Sequence, residues 1–270
     1  SPTALAQSRL AEILLLILVF TIGFAVTGSA ARLPGSTWYE QSAAGSTRLT
    51  AAGWWYVLMS RPLLQFFLLR WYFRLFVWGR FLWQVSRLPL HLTPTHPDRR
   101  GGLGFLSVLG YSFAPFLLAH GTMVSATVAN GVMHGGLTLR SSEVVMAIIP
   151  AAVLLLVLGP ECVFSSRLWQ AKRTGLMEYG LLGERYVRDF EHKWLRHPRS
   201  GSEPLLGSAD IQSLADLASS FQNLEQMSVL PPTRASVVTL LLITMLPLAP
   251  LPLTMISGQE LFERLFKIIL

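Results

Sequence analysis

Apolar positions along the chain gather into long blocks instead of recurring at the spacing of a soluble core. A block of about 18 or more apolar residues is long enough to cross the hydrocarbon of a bilayer as a helix. The first runs over residues 10–28, with Ile13, Leu14, Leu15, Leu16, Ile17 and Leu18 at its centre. Arg9 before it and Gly28-Ser29-Ala30-Ala31 after it also fit a secretory signal peptide, but its length favours a span. The chain has no initiator methionine, which points to trimming or processing. After a polar loop (29–50), Trp54-Trp55-Tyr56 reads as an interfacial anchor. The second apolar segment extends from there to Leu88 and is interrupted by Arg61, Arg70, Arg74, Arg80 and Arg87. It starts either near Trp54 or at Pro62, where Ser60 can cap and Pro62 fits a first helical turn.

The third and fourth blocks cover residues 105–133 and 144–164, separated from the second by a loop at 88–104. The fourth continues into a more polar helix, on which Leu168, Leu176, Tyr179, Leu182, Tyr186, Phe190 and Trp194 recur at helical spacing. A second amphipathic helix from Ser208 presents Ile211, Leu214, Leu217, Phe221, Leu224 and Met227 on one face. Residues 165–232 therefore read as a helical hairpin outside the membrane. A fifth block (235–256) is broken by Pro247, Pro250 and Pro252. Capping-box spacing at Ser257 and Glu260 then opens a short amphipathic helix that completes the segment 233–270. The expected fold is all-α: a polytopic transmembrane bundle of about five spans (1–164 and 233–270) with a cytoplasmic helical hairpin.

Composition agrees with this pattern. The 270 residues are 51% hydrophobic and 14% charged, against about 25% charged in an ordinary soluble domain. The net charge of +7 does not indicate nucleic acid, because the basic residues flank the apolar blocks instead of forming a stripe. Their distribution sets orientation. With the amino terminus inside, thirteen Lys and Arg lie in the inner loops after the second and fourth spans and five in outer segments, the bias of a cytoplasmic amino terminus and a periplasmic carboxyl terminus. The single Cys162 excludes an intrachain disulfide.

Chemistry-bearing residues are few. On the third span Ser112, His120, Thr127, Asn130 and His134 fall within an arc of about 80° at about 100° per residue. Polar side chains in hydrocarbon are costly unless they meet partners or water, so this face is expected to point inward. It then lines a path for ions or a small solute, or serves as hydrogen-bonding glue between helices, with Gly121 and Gly131 allowing close approach. If the second span starts near Trp54, Arg70 and Arg74 snorkel to lipid phosphates and Arg61 is buried deepest, with Glu12 and Glu161 as candidate partners. If it starts at Pro62, Arg70 and Arg74 lie deep and need an anionic partner. Gly101-Gly102 beside Arg99 and Arg100 can hold a phosphate or lipid headgroup through backbone N–H groups, or can simply form a tight turn. His91, His96 and Asp98 are too few, and too irregularly spaced, for a zinc site. No nucleotide fingerprint or nucleophile motif is present, so neither enzyme activity, cofactor nor metal is expected.

The run Leu92-Thr93-Pro94-Thr95-His96-Pro97-Asp98-Arg99-Arg100-Gly101-Gly102-Leu103-Gly104-Phe105, with Phe81-Leu82-Trp83-Gln84-Val85-Ser86-Arg87-Leu88 before it, resembles a family of bacterial integral membrane proteins to which no activity is assigned. The resemblance implies a bacterial inner membrane and no site. The reading that best uses these residues is a channel or transporter, formed as a homo-oligomer or as a subunit of a membrane complex, with the third span along the path. A non-catalytic scaffold acting through the hairpin is the alternative, and a lipid-modifying enzyme using His91, His96 and Asp98 a distant one.

Overall fold

The computed structural model describes residues 13, 16–19, 21, 40–43, 46–134, 136–196 and 207–252. Most of the first apolar block, Glu12, and the segment from 253 onward with its terminal amphipathic helix lie outside the described residues. The chain forms two compact units, residues 1–81 and 82–270.

The first unit begins with the one hairpin of strands among the described residues. β1 (Glu40–Ala43) pairs antiparallel with β2 (Ser46–Leu49), with Glu40 opposite Leu49. Thr50 caps the helix that follows, its hydroxyl accepting the Gly53 N–H at 3.0 Å. That helix, α1 (Ala51–Trp55), passes through a π-helical turn at Tyr56–Ser60 into α2 (Arg61–Ser86). Pro62 donates no hydrogen bond and its ring crowds the carbonyl four residues back. The wider turn just ahead of it is the usual way for a helix to absorb that defect. The helix therefore runs through Pro62 and does not start there.

In the second unit, α3 (Leu106–Leu109), a 3-10 turn (Gly110–Phe113) and α4 (Ala114–His134) make one helix. Thr138 and Ser141 form a reciprocal capping box at the start of α5 (Leu139–Leu158). A 3-10 turn (Gly159–Phe164) carries α5 into α6 (Ser165–Phe190), which ends in a π-helical turn at Glu191–Arg196. Among the described residues, two helices are long and apolar enough to cross a membrane, Leu106–His134 and Leu139–Arg196. This is fewer than the five expected from the sequence, for three local reasons. The first block is largely outside the described residues, α2 is punctuated by arginines, and the apolar helix Arg234–Leu248 is short.

α7 (Ala209–Glu225) folds back along α6, and α8 (Arg234–Met245), capped by Thr233, packs on α4 and α5. The α4–α8 contact depends on Gly121, where any Cβ would collide with the Thr244 carbonyl oxygen. One turn further on, the Ser125 hydroxyl donates to the Pro247 carbonyl at 2.6 Å. Val124 and Val128 of α4 close against Leu248 and Leu251 at the same level. Here small residues and a hydroxyl join two helices, as expected where apolar burial alone gives little selectivity. The proline-rich end of α8 relaxes into a 3-10 turn at Leu246–Leu248, and one carbonyl there is taken by its neighbour helix.

Gly121→Ala is expected to lower stability by about 1–3 kcal/mol, the range for overpacking a close contact. Gly183→Ala, with open space around the added methyl, is expected to be neutral or slightly stabilising, because Ala favours helix over Gly. Denaturant unfolding of the detergent-solubilised protein compares the two.

Candidate functional site

The loop at 88–104 is organised by Asp98. Its Oδ1 accepts the N–H groups of Arg100 at 2.8 Å and Gly102 at 3.2 Å, and its Oδ2 accepts that of Gly104 at 2.8 Å. His96 Nδ1 stands 2.8 Å from Oδ1. To bring those N–H groups round one carboxylate, Arg99, Gly101 and Gly102 take left-handed φ values of 54°, 63° and 95°. Glycine does this at little cost, whereas Arg99 is strained. Gly104 has no room for a side chain, because a Cβ there would lie 2.9 Å from Oδ2. Partial burial pushes the Asp98 carboxyl up, but the three backbone donors and His96 outweigh it and hold the group below the usual aspartate range.

The loop sits against the α6–α7 hairpin. Gly175 of α6 faces Pro94 and Leu224 closely enough that an added Cβ would be 2.8 Å from the proline Cβ. Gly101 faces Leu168 and Met227, and the Ser228 N–H donates to the Arg99 carbonyl at 2.8 Å. Lys172 Nζ donates to the carbonyls of Glu225 and Met227 at 2.8 and 2.9 Å, closing the carboxyl end of α7. At the other end of the hairpin, Asp210 Oδ2 accepts from Lys193 at 2.6 Å and from Trp194 Nε1 at 3.1 Å, while the Tyr186 hydroxyl donates to the Asp210 carbonyl. The Lys193 and Trp194 donors hold the Asp210 carboxyl below its usual range.

This geometry places the residues picked out from the sequence. The N–H groups of Arg100 and Gly102, which could have cradled a phosphate, are used by the chain's own carboxylate. Arg99 is exposed, and Arg100 points Nη1 at the Asp98 carbonyl, 3.4 Å away, leaving Nε buried without a hydrogen-bond partner. Asp98 is thus engaged with backbone, and the described residues contain no group of three His, Cys, Asp or Glu able to hold a metal ion. On α2, Arg61 and Arg70 are half-buried, and Arg74 is exposed with its guanidinium 5.4 Å from the Trp71 ring centre.

The polar face of α4 is divided. The helix buries Phe116, Leu117, His120, Gly121, Val124 and Val128. His120 alone of the five polar residues points inward, its Nδ1 2.8 Å from the Phe116 carbonyl and its ring edge-on to Phe116. A carbonyl can only accept, so Nδ1 carries the proton. Ser112, Thr127, Asn130 and His134 are exposed on the single chain. Apolar residues on the adjacent arc take the packed positions, and the Thr127 hydroxyl satisfies itself on the Met123 carbonyl at 2.8 Å. The expected inward orientation therefore holds for His120 and not for the other four.

The least satisfied group is Glu161, in the 3-10 turn between α5 and α6. It is 0% exposed, and neither carboxylate oxygen has a hydrogen-bond partner among the described residues. The space it fills exists because residue 110 is glycine, whose Cβ would stand 3.1 Å from Oε1, with Leu158 and Leu240 at 3.7 and 3.8 Å from the same point. Ser165, one turn along, also has a buried hydroxyl without a partner. The sequence marks Glu161 as the acid in an otherwise apolar stretch, but its position near the end of the block reads there as a partner for an arginine. Compared with family models, with curated proteins and with solved structures, the chain matches none.

Asp98→Asn is expected to reduce stability by about 1–3 kcal/mol, the cost of leaving backbone donors without their acceptor. Because the folded-state value is lowered, the carboxylate stabilises the fold above the unfolded aspartate value of about 3.9. That contribution is lost as pH falls through the folded value. Thermal unfolding followed between neutral and acid pH should show the parent losing its advantage over Asp98→Asn.

Proposed function

We propose that the protein is a bacterial inner-membrane protein of about five spans that, as a homo-oligomer or complex subunit, forms or contributes to a path for ions or a small solute. The observation that carries this reading is the row Thr127, Asn130 and His134, exposed on one side of a helix of membrane-crossing length. Polar groups facing hydrocarbon are costly, so such a row calls for a second polar surface or water. Copies of α4 arranged about a symmetry axis supply both. Loop 88–104 touches the hairpin, and the basic residues of both support an orientation with the two on the cytoplasmic face.

Purified in mild detergent, the protein is expected to be a symmetric oligomer, and in liposomes to pass ions. Asn130→Leu should reduce the flux by about tenfold while leaving the oligomer intact, the cost of about 1.4 kcal/mol at a polar constriction. A monomer with ion-tight liposomes contradicts the proposal. A scaffold function is the second reading, favoured by Trp169, Met177, Leu181, Leu182, Val187 and Leu195, which are exposed on α6 and its final turn. It requires a co-purifying membrane partner that is lost in Leu181→Glu.

A further inference from the structure

We propose that Glu161 is a proton-binding site, holding an exchangeable proton in the interior of the second unit. The case begins with what burial demands. A carboxylate removed from water without a counter-charge or donors is so costly that it must bind a cation or become neutral. Glu161 is fully buried and both its oxygens lack partners. The Gly110 backbone lies beside its Oε1, with the apolar side chains of Leu158 and Leu240 bordering the same glycine. On its own element, the adjacent titratable residue is Cys162.

The same surroundings choose between occupants. A hard metal cation requires several oxygen ligands in its shell, about six or more for calcium or magnesium. Among the described residues no group of three His, Cys, Asp or Glu provides them, and the Ser165 hydroxyl is the one further buried, unsatisfied side-chain oxygen on the same helical segment. A proton needs a single oxygen. Gly110 then has a specific role, since any side chain there would fill the space the carboxyl occupies.

The proposal rests on the membrane reading only for its biological meaning, and its test is read separately from flux. Dicyclohexylcarbodiimide, an apolar reagent, adds to a protonated carboxyl. The acid oxygen bonds to the central carbon and its proton passes to nitrogen, giving an O-acylisourea that rearranges to a stable N-acylurea, with no oxidant or reductant needed. Applied to the full chain in liposomes, it is expected to modify Glu161, as read by peptide mass spectrometry, with labelling that falls as pH rises. Glu161→Gln should fold with unchanged thermal stability and lose that adduct, while a water-soluble carbodiimide should leave Glu161 unmodified. Absence of the adduct at every pH, labelling independent of pH, or protection by sodium or potassium ions at fixed pH overturns the proposal. A Glu161 adduct in ion-tight, monomeric protein supports the site and removes the transport reading. Ion flux without the adduct does the reverse.

Discussion

Polar groups among closely packed apolar helices must find their partners nearby, and this constraint shapes the second unit. Thr122, Thr127 and Thr244 turn their hydroxyls onto carbonyls four residues back, each at 2.7–2.9 Å. His120 uses the carbonyl of Phe116 in the same way. Ser125 reaches across to Pro247, and in doing so fixes the register of α8 on α4 beside the close approach at Gly121. Such bonds are individually modest, but an unmet group in a place without water costs more than a met one gains. Glu161, with neither carboxylate oxygen met among the described residues, departs from this pattern.

The same rule operates in a different form at the loop. A tight turn leaves several backbone N–H groups converging on one point, and an anion there satisfies them all. Asp98 supplies that anion from within the chain, so the turn is a self-contained structural piece and not an open cradle. Its rigidity has a further consequence. Pro94, Arg99 and Gly101 are held in positions where they meet Gly175, Ser228 and Leu168. Loop and hairpin, more than sixty residues apart in sequence at their contact, thereby form one surface at one end of the α4–α5–α8 packing.

Much of this was legible in the order of the residues. The blocks at 105–133 and 144–164 correspond to the helices Leu106–His134 and Leu139–Arg196, because a long apolar run admits no competing structure. The amphipathic stripes of α6 and α7 foretold two helices lying against each other, and Gly121 was readable as a close-contact residue. What could not be read was which arc of α4 would be buried. Polar and apolar arcs adjoin on that helix, and the choice is made by Thr244 and Pro247 of α8, far away in sequence. Asp98 was likewise ambiguous. Beside His91 and His96 it stands in the sequence as part of a poor metal set, and its use as a turn acceptor follows only from the left-handed backbone of Arg99, Gly101 and Gly102. Glu161 was visible as an acid, but its lack of any partner is a property of the packed unit.

If α4 and α5 cross a bilayer, as proposed, the loop–hairpin surface lies on one side of it. The most direct measurement is labelling of single-cysteine variants, made in a Cys162→Ser background, with a membrane-impermeant maleimide in sealed vesicles of known orientation. Cysteines at Arg99 and Glu184 are expected to react from the cytoplasmic face and a cysteine at His134 from the opposite face. Equal reaction of all three from one side would contradict this placement.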